Sequence, residues 1–259
     1  ETDGFAGATA VSLYALSMAE HMAIHRTTAE QMAAVSVKNH GNAIGNPWAH
    51  KPMDITIDDV LASPMIAAPY RKLDCSMASD GAAAIVLAHR DAAPATSKPR
   101  SRIIASAAAT DHARLGDRAE RHHFVAKQRA AQAAYTQAGI SDPANQIHVA
   151  EIYDAFTGAE IQGIEALGLA RRGTAGAAVA EGVFDREGTL PVNLSGGLIG
   201  QGGAPGAVGI VQAATMDRIL TGRYRCDTTP VRDYRLGLVD THGGLCTTSI
   251  VHLMEREEP

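Results

Sequence analysis

Cysteine, aromatic side chains, positive charge and long apolar runs are all scarce in this chain. Its three cysteines, Cys75, Cys226 and Cys246, are widely spaced over 259 residues. That spacing excludes a zinc motif or a disulfide framework. It suits a reducing compartment, so a cytoplasmic protein is expected. Lys and Arg total 23 against 28 Asp and Glu, a formal charge of −5. This balance argues against a nucleic-acid partner, because phosphate binding needs a basic surface. No apolar run approaches the roughly 20 residues of a membrane helix, and no basic-then-apolar leader opens the sequence. Aromatics make up 4% of the chain although 46% of it is hydrophobic. Small aliphatic residues therefore carry the core, as in tightly packed α/β layers, and the length suffices for one large or two small domains.

Glycine, by contrast, is concentrated. Seven glycines fall between Leu194 and Gly209. The stretch joins an apolar, strand-like entry (Leu190, Val192, Leu194) to an amphipathic helical pattern (Ile210, Val211, Ala214, Met216, Ile219, Leu220). Glycines here permit positive φ and close approach to main-chain N–H groups, and the following helix N-terminus favours a developing anion. A P-loop is excluded because Ala207-Val208 follows Gly206 where Lys-Ser or Lys-Thr is required. A dinucleotide fingerprint is excluded because, counting from Gly200, its sixth position is Pro205.

The rest of the chain alternates strand and helix. Residues 10–40 read as helices, with Leu13, Leu16, Met18, Met22 and Ile24 on a broad apolar face and a capped start at Thr27-Thr28. Residues 41–72 read as irregular apart from a short element between Ile55 and Leu61. Ala82–His89 has the length and apolarity of a buried strand. Residues 91–100 read as a linker. Strand patterns follow from Arg102 to Ala108, from Ile147, from Arg235 to Asp240 and from Thr247 to Met254. Helices are expected over Ala126–Ala138, ended by Gly139, and after Thr157, where Ile161, Ile164, Leu167 and Leu169 share a face. An α/β layered protein follows. The stretch containing His112, Arg114, Arg118, Arg121, His122, His123, Lys127 and Arg129 is locally basic. Interleaved Asp111, Asp117 and Glu120 favour a solvated helix with local ion pairs over a phosphate site. His122-His123 lacks the spacing of a helical metal site, and no metal motif occurs elsewhere.

Five segments, in order, resemble the thiolase superfamily: Thr27–His40, Leu73–Ala84, Ile147–Thr157 (His-Val-Ala-Glu-Ile-Tyr-Asp-Ala-Phe), the glycine turn, and Gly237–Gly244. They are most similar to the SCP2-thiolase or lipid-transfer-protein branch, including its steroid side-chain aldolase relatives. The resemblance implies a thiolase-like layered α/β fold: residues 1–72 as loop domain, 73–100 as the last strand of a first half with its linker, and 101–259 as a complete C-terminal half. The similar closing strands Ala84–Arg90 and Ser249–Arg256 fit such a duplication. No counterpart of the family's nucleophilic-cysteine segment precedes the loop region. Either that segment is lost by truncation or cleavage or a separate polypeptide supplies it, and association with another thiolase-like chain is expected.

The resemblance also locates a site. The glycine-turn histidine of classical thiolases corresponds to Gly203, the turn Asn or His to Tyr153, and the late cysteine to Thr241-His242. Claisen chemistry through an acyl-cysteine would thus lack its base. Tyr153 could donate to a thioester enolate, and His242 is the acid–base candidate by type. Gly203 and Gly244 could supply oxyanion N–H groups, with Ser195 beside the substrate. Packing alone would equally account for Tyr153, and a backbone hydrogen bond for His242. Asp154 is expected to cap the helix that follows it, and Cys75 and Cys246 to be structural.

The implied activity is carbon–carbon cleavage of a β-hydroxy- or β-keto-acyl-CoA. Coenzyme A would enter as part of the substrate, with no metal and no other cofactor. The alternatives are a non-catalytic acyl-CoA or lipid-binding subunit, or an acyltransferase completed by a partner's cysteine. The branch also implies a zinc-ribbon/OB-fold subunit as a partner.

Overall fold

The computed structural model describes residues 7–92, 98–224 and 232–258. Two capped helices come first. Thr9 accepts from the Ser12 N–H at the start of α1 (Ala10–His25), and Thr28 accepts from the Gln31 N–H at the start of α2 (Ala29–Ala43). Each threonine satisfies an N–H that the first helical turn leaves unpaired. The buried side of α1 differs from the expected apolar face. Tyr14, Ala15, Ser17, Met18 and His21 point inward, while Leu16 and Ile24 are 62% and 50% exposed. Polar anchors decide the rotation: Ser17 donates to the Arg121 carbonyl, and His21 pairs with Glu165 at 2.9 Å. A short α3 (Ile57–Ala62) and a small hairpin of β1 (Met65–Ala67) and β2 (Tyr70–Arg71) follow.

Residues 82–89 differ from expectation more sharply. They form no strand, and Val86 and Leu87 are 96% and 70% exposed. An extended apolar run becomes a strand only against a hydrogen-bonded ladder, and no described strand runs beside it. Part of the expected linker, residues 93–97, lies outside the described residues, as does Cys226.

A four-stranded mixed sheet organises the remainder. Its strands are β3 (Arg100–Thr110), β4 (Val149–Glu151), β5 (Leu236–Gly243) and β6 (Thr248–Glu257), in spatial order β3-β6-β5-β4. Only β4 and β5 are parallel. The expected strand at 190–194 amounts to one bridge, Val192 to Ala150. Strand alternation divides the core. Leu238, Val251 and Leu253 face a large cluster that includes α4 (Val125–Ala138), which ends at Gly139 with φ +69°. Val239 and Met254 face Met216, Ile219 and Leu220 of α9 (Val208–Leu220) on the opposite side. Between β4 and the glycine turn lie α5 (Pro143–Gln146), α6 (Thr157–Ala166) and α7 (Ala175–Ala180), and the turn itself contains α8 (Gly197–Gly200). Every residue of α6 is buried, since α1, α2, α4 and α7 surround it. A single apolar face was therefore too modest an expectation for α6. Among the described residues no helix is long and apolar enough to cross a membrane.

The basic stretch is not a solvated helix. Arg118 is buried and donates to the carbonyls of His112 (2.9 Å) and Leu245 (2.6 Å) and to the Thr247 hydroxyl. Its fork ties the loop after β3, at the His112 carbonyl, to the β5–β6 turn at Leu245 and Thr247.

Candidate active site

The site forms where β5 ends beside the turn after β4. Alternation places Asp240 and His242 on one face of β5. Asp240 is fully buried and works as a junction. Its carboxylate pairs with the Lys127 ammonium from α4 at 2.5 Å and accepts from the Ser249 hydroxyl of β6 at 3.1 Å. It also accepts from the Tyr153 backbone N–H at 3.3 Å. A charge buried this deeply survives only when it is paired and hydrogen-bonded, so three elements are tied to β5 at one point. The Tyr153 ring consequently packs against the His242 ring at a tilt of 44°, with centroids 4.3 Å apart.

His242 is buried beside the rings of Phe124 and Tyr14. Burial, with the Lys127 and Arg118 cations, drives its pKa well below 6.5. The ring is therefore neutral at pH 7. Burial and the neighbouring Asp154 push the Tyr153 phenol upward, so it keeps its proton. Among the described residues no group hydrogen-bonds to the Tyr153 hydroxyl. Both side chains line a cavity of about 700 Å³ together with Gly243 and Gly244. Its other walls are largely apolar, including Ile103, Val239 and Ile250 from the sheet and Ile85 and Leu87 from the exposed run. It combines an apolar volume with a neutral imidazole and a protonated phenol.

Of the other expected residues, Gly203 and Ser195 sit elsewhere. Gly203 donates its N–H to the Met77 carbonyl at 3.0 Å and accepts from the Ser79 N–H at 3.0 Å. Its N–H is therefore committed to backbone, while the adjacent Pro205 and Gly206 reach the cavity wall. The Gly244 carbonyl accepts from the Tyr14 hydroxyl at 2.7 Å. Ser195 hydrogen-bonds Glu151 through its hydroxyl and, at 3.1 Å, its N–H. It lines a second cavity of about 590 Å³ with Trp48, Gln212 and Arg218. The two cavities have only Val208 in common. Tyr153, His242 and Gly244 thus come together, whereas Gly203 and Ser195 stand apart.

Asp154 does not cap α6, whose N-cap, Phe156, makes no side-chain bond. It accepts from the backbone N–H groups of Leu198 (2.6 Å) and Ile199 (3.3 Å) at the start of α8. Gly197 sits against this carboxylate with φ +58°, where any side chain would collide with it. The glycine turn is thereby fastened to the Tyr153 turn. Asn39 bridges Asp154 (2.8 Å) and Glu160 (2.6 Å), and Lys38 pairs with Glu160 at 2.9 Å. Burial pushes Glu151 up to about 7. Burial likewise raises the thiols, Cys75 to about 11 and Cys246 to about 12, which leaves them poor nucleophiles.

Sequence reading missed Tyr14, Lys127 and Asp240. The available signal was Lys127 between Ala126 and Ala130–Ala131, a charge on a helix face otherwise made of alanine. Among the described residues no three His, Cys, Asp or Glu side chains are grouped to hold a metal ion.

Comparison with known proteins gives consistent relatives. Residues 107–256 match the model of a family described as thiolase C-terminal domain-like. The chain is 38% identical to an acetyl-CoA acetyltransferase of Methanothermobacter thermautotrophicus over 96% of its own length and 64% of that protein's. It is 32% identical to sterol carrier protein 2 of Bos taurus over 76% of its own length and 37% of that protein's. Among solved structures, the Ltp2-ChsH2(DUF35) aldolase superposes with a TM-score of 0.79 at 24% identity, covering 94% of this chain and 63% of that one.

Proposed function

Since the chain belongs to the thiolase C-terminal domain-like family, in the SCP2-thiolase-like branch of the thiolase superfamily, we propose that it acts on acyl-CoA thioesters. The reaction favoured by the site is retro-aldol cleavage of a β-hydroxyacyl-CoA. The observation carrying this reading is the Tyr153 ring tilted against a neutral His242 in a largely apolar cavity. In this scheme His242 takes the β-hydroxyl proton and the bond between the α- and β-carbons breaks. Its electron pair passes into the thioester enolate, whose oxygen accepts a hydrogen bond from the Tyr153 phenol. The proton returns to the α-carbon, leaving a shortened acyl-CoA and a ketone or aldehyde. No covalent intermediate is needed, in keeping with two thiols held far above neutrality by burial.

The chain spans 64% of its acetyltransferase relative, and the proposal includes an assembly with another thiolase-like chain. The aldolase neighbour's name joins Ltp2 to ChsH2(DUF35), which supports the zinc-ribbon/OB-fold (DUF35-like) subunit implied by the resemblance as a further partner. Similarity to an acetyltransferase favours a second reading, acyl transfer with a nucleophilic cysteine supplied by another chain.

Turnover of a panel of β-hydroxyacyl-CoA thioesters by the native complex is the test. Tyr153→Phe is expected to lower kcat by about 100-fold with substrate binding retained. Full turnover by that variant would sink the reading. An acyl-enzyme trapped on a partner cysteine would replace it with the second.

A further inference from the structure

The geometry points to Tyr14 as a positioning residue that holds His242 in one tautomer and leaves its Nδ1 lone pair without a partner in a ring packed against Tyr153. Its catalytic meaning rests on the reading of His242 as the base. Tyr14 Oη lies 2.7 Å from the Gly244 carbonyl oxygen and 2.6 Å from His242 Nε2. A carbonyl cannot donate, so the single phenolic proton occupies the bond to Gly244. Nε2 must then carry its own proton and donate it to Tyr14 Oη. The opposite tautomer would set the Nε2 lone pair against a phenol oxygen whose proton points away. Nδ1 is therefore the acceptor nitrogen, and it is buried without a partner in a ring 6% exposed.

A buried acceptor left unpaired costs free energy unless something else brings a proton. His252 Nδ1 on the same cavity wall is also unpaired, and of the two only the His242 acceptor belongs to a ring packed against Tyr153. The ring carrying it lines the cavity and faces Tyr153. Tyr14 is itself held firmly. It is 4% exposed, edge-on to Phe124 with centroids 6.4 Å apart and tilted against Phe156 at 4.8 Å. The helix α1 thus reaches across the molecule to orient a ring on β5, a role for which nothing in the local sequence of β5 provides.

Nitrogen-15 imidazole spectra of the full chain at pH 7 read the tautomer directly, with the His242 signals assigned by their loss in His242→Asn. The expected wild-type result is a protonated Nε2 and a bare Nδ1. In Tyr14→Phe the two tautomers should mix, and kcat for thioester cleavage should fall by about 10- to 100-fold at unchanged KM. Tyr70→Phe is the control, because it removes another buried phenol hydroxyl that has no partner and does not touch His242. It should change neither quantity. A wild-type ring protonated at Nδ1 overturns the inference. So does an unchanged tautomer in folded Tyr14→Phe, and if that variant does not fold the wild-type spectrum decides. Should no thioester be cleaved by the wild type, the proposed function falls, while the spectra still decide the tautomer.

Discussion

At the scale of single residues, backbone freedom and buried charge are tightly coupled. Gly197 takes a positive φ and leaves room only for the Asp154 carboxylate that binds the start of α8. Gly197→Ala combines left-handed strain with a displaced buried carboxylate. A loss of about 3 kcal/mol is expected from urea denaturation, and a loss below about 1 kcal/mol would show that the turn relaxes freely. The family resemblance, not residue identity alone, grouped Tyr153, His242 and Gly244, and these three line one cavity. The resemblance could not reveal that the Gly203 N–H is occupied by Met77. That hydrogen bond joins residues far apart in the chain, and local sequence carries no record of it.

Among the elements, partners decide what an apolar pattern becomes. β6 and the run at 82–89 are both rich in aliphatic residues, yet only β6 finds neighbours on each side. Leu253 is fully buried whereas Val86 is 96% exposed. Leu253→Ala should cost about 2–5 kcal/mol, while Val86→Asp should change the stability of this chain by less than about 0.5 kcal/mol. Equal effects in thermal melts would mean that residues 82–89 pack in solution as a core strand does. The helix α1 makes a related point. Its most apolar stripe was legible, but hydrogen bonds from Ser17 and His21 and the reach of Tyr14 turn a different face inward. Two buried polar bonds outweigh the exposure of one leucine, since an unmade buried hydrogen bond costs about 1–3 kcal/mol.

Over the whole molecule, a polar seam runs through the core from Lys38 and Glu160 through Asn39 to Asp154, and Ser195 and Glu151 lie close by. Its pH response follows from the shifts. Burial raises Glu151 to about 7 from 4.5, so the folded chain binds a proton that the unfolded chain releases. The stability this contributes is complete below pH 4.5 and is lost as pH rises towards 7. Glu151→Gln should therefore gain stability relative to wild type across that window and hold a constant difference above it. Parallel profiles in urea melts at pH 4.5 to 8 would refute the assignment. By itself the sequence determined the layered α/β class and most of the helices and sheet strands, because periodicity, caps and glycine placement act over a few residues, while five short segments carried the family resemblance. Only the tertiary structure decided which face of α1 is buried, what Asp154 caps, and which atom of His242 is left free. Those outcomes depend on hydrogen bonds between residues far apart in the chain, 44 positions for Asp154 with Leu198 and 228 for Tyr14 with His242.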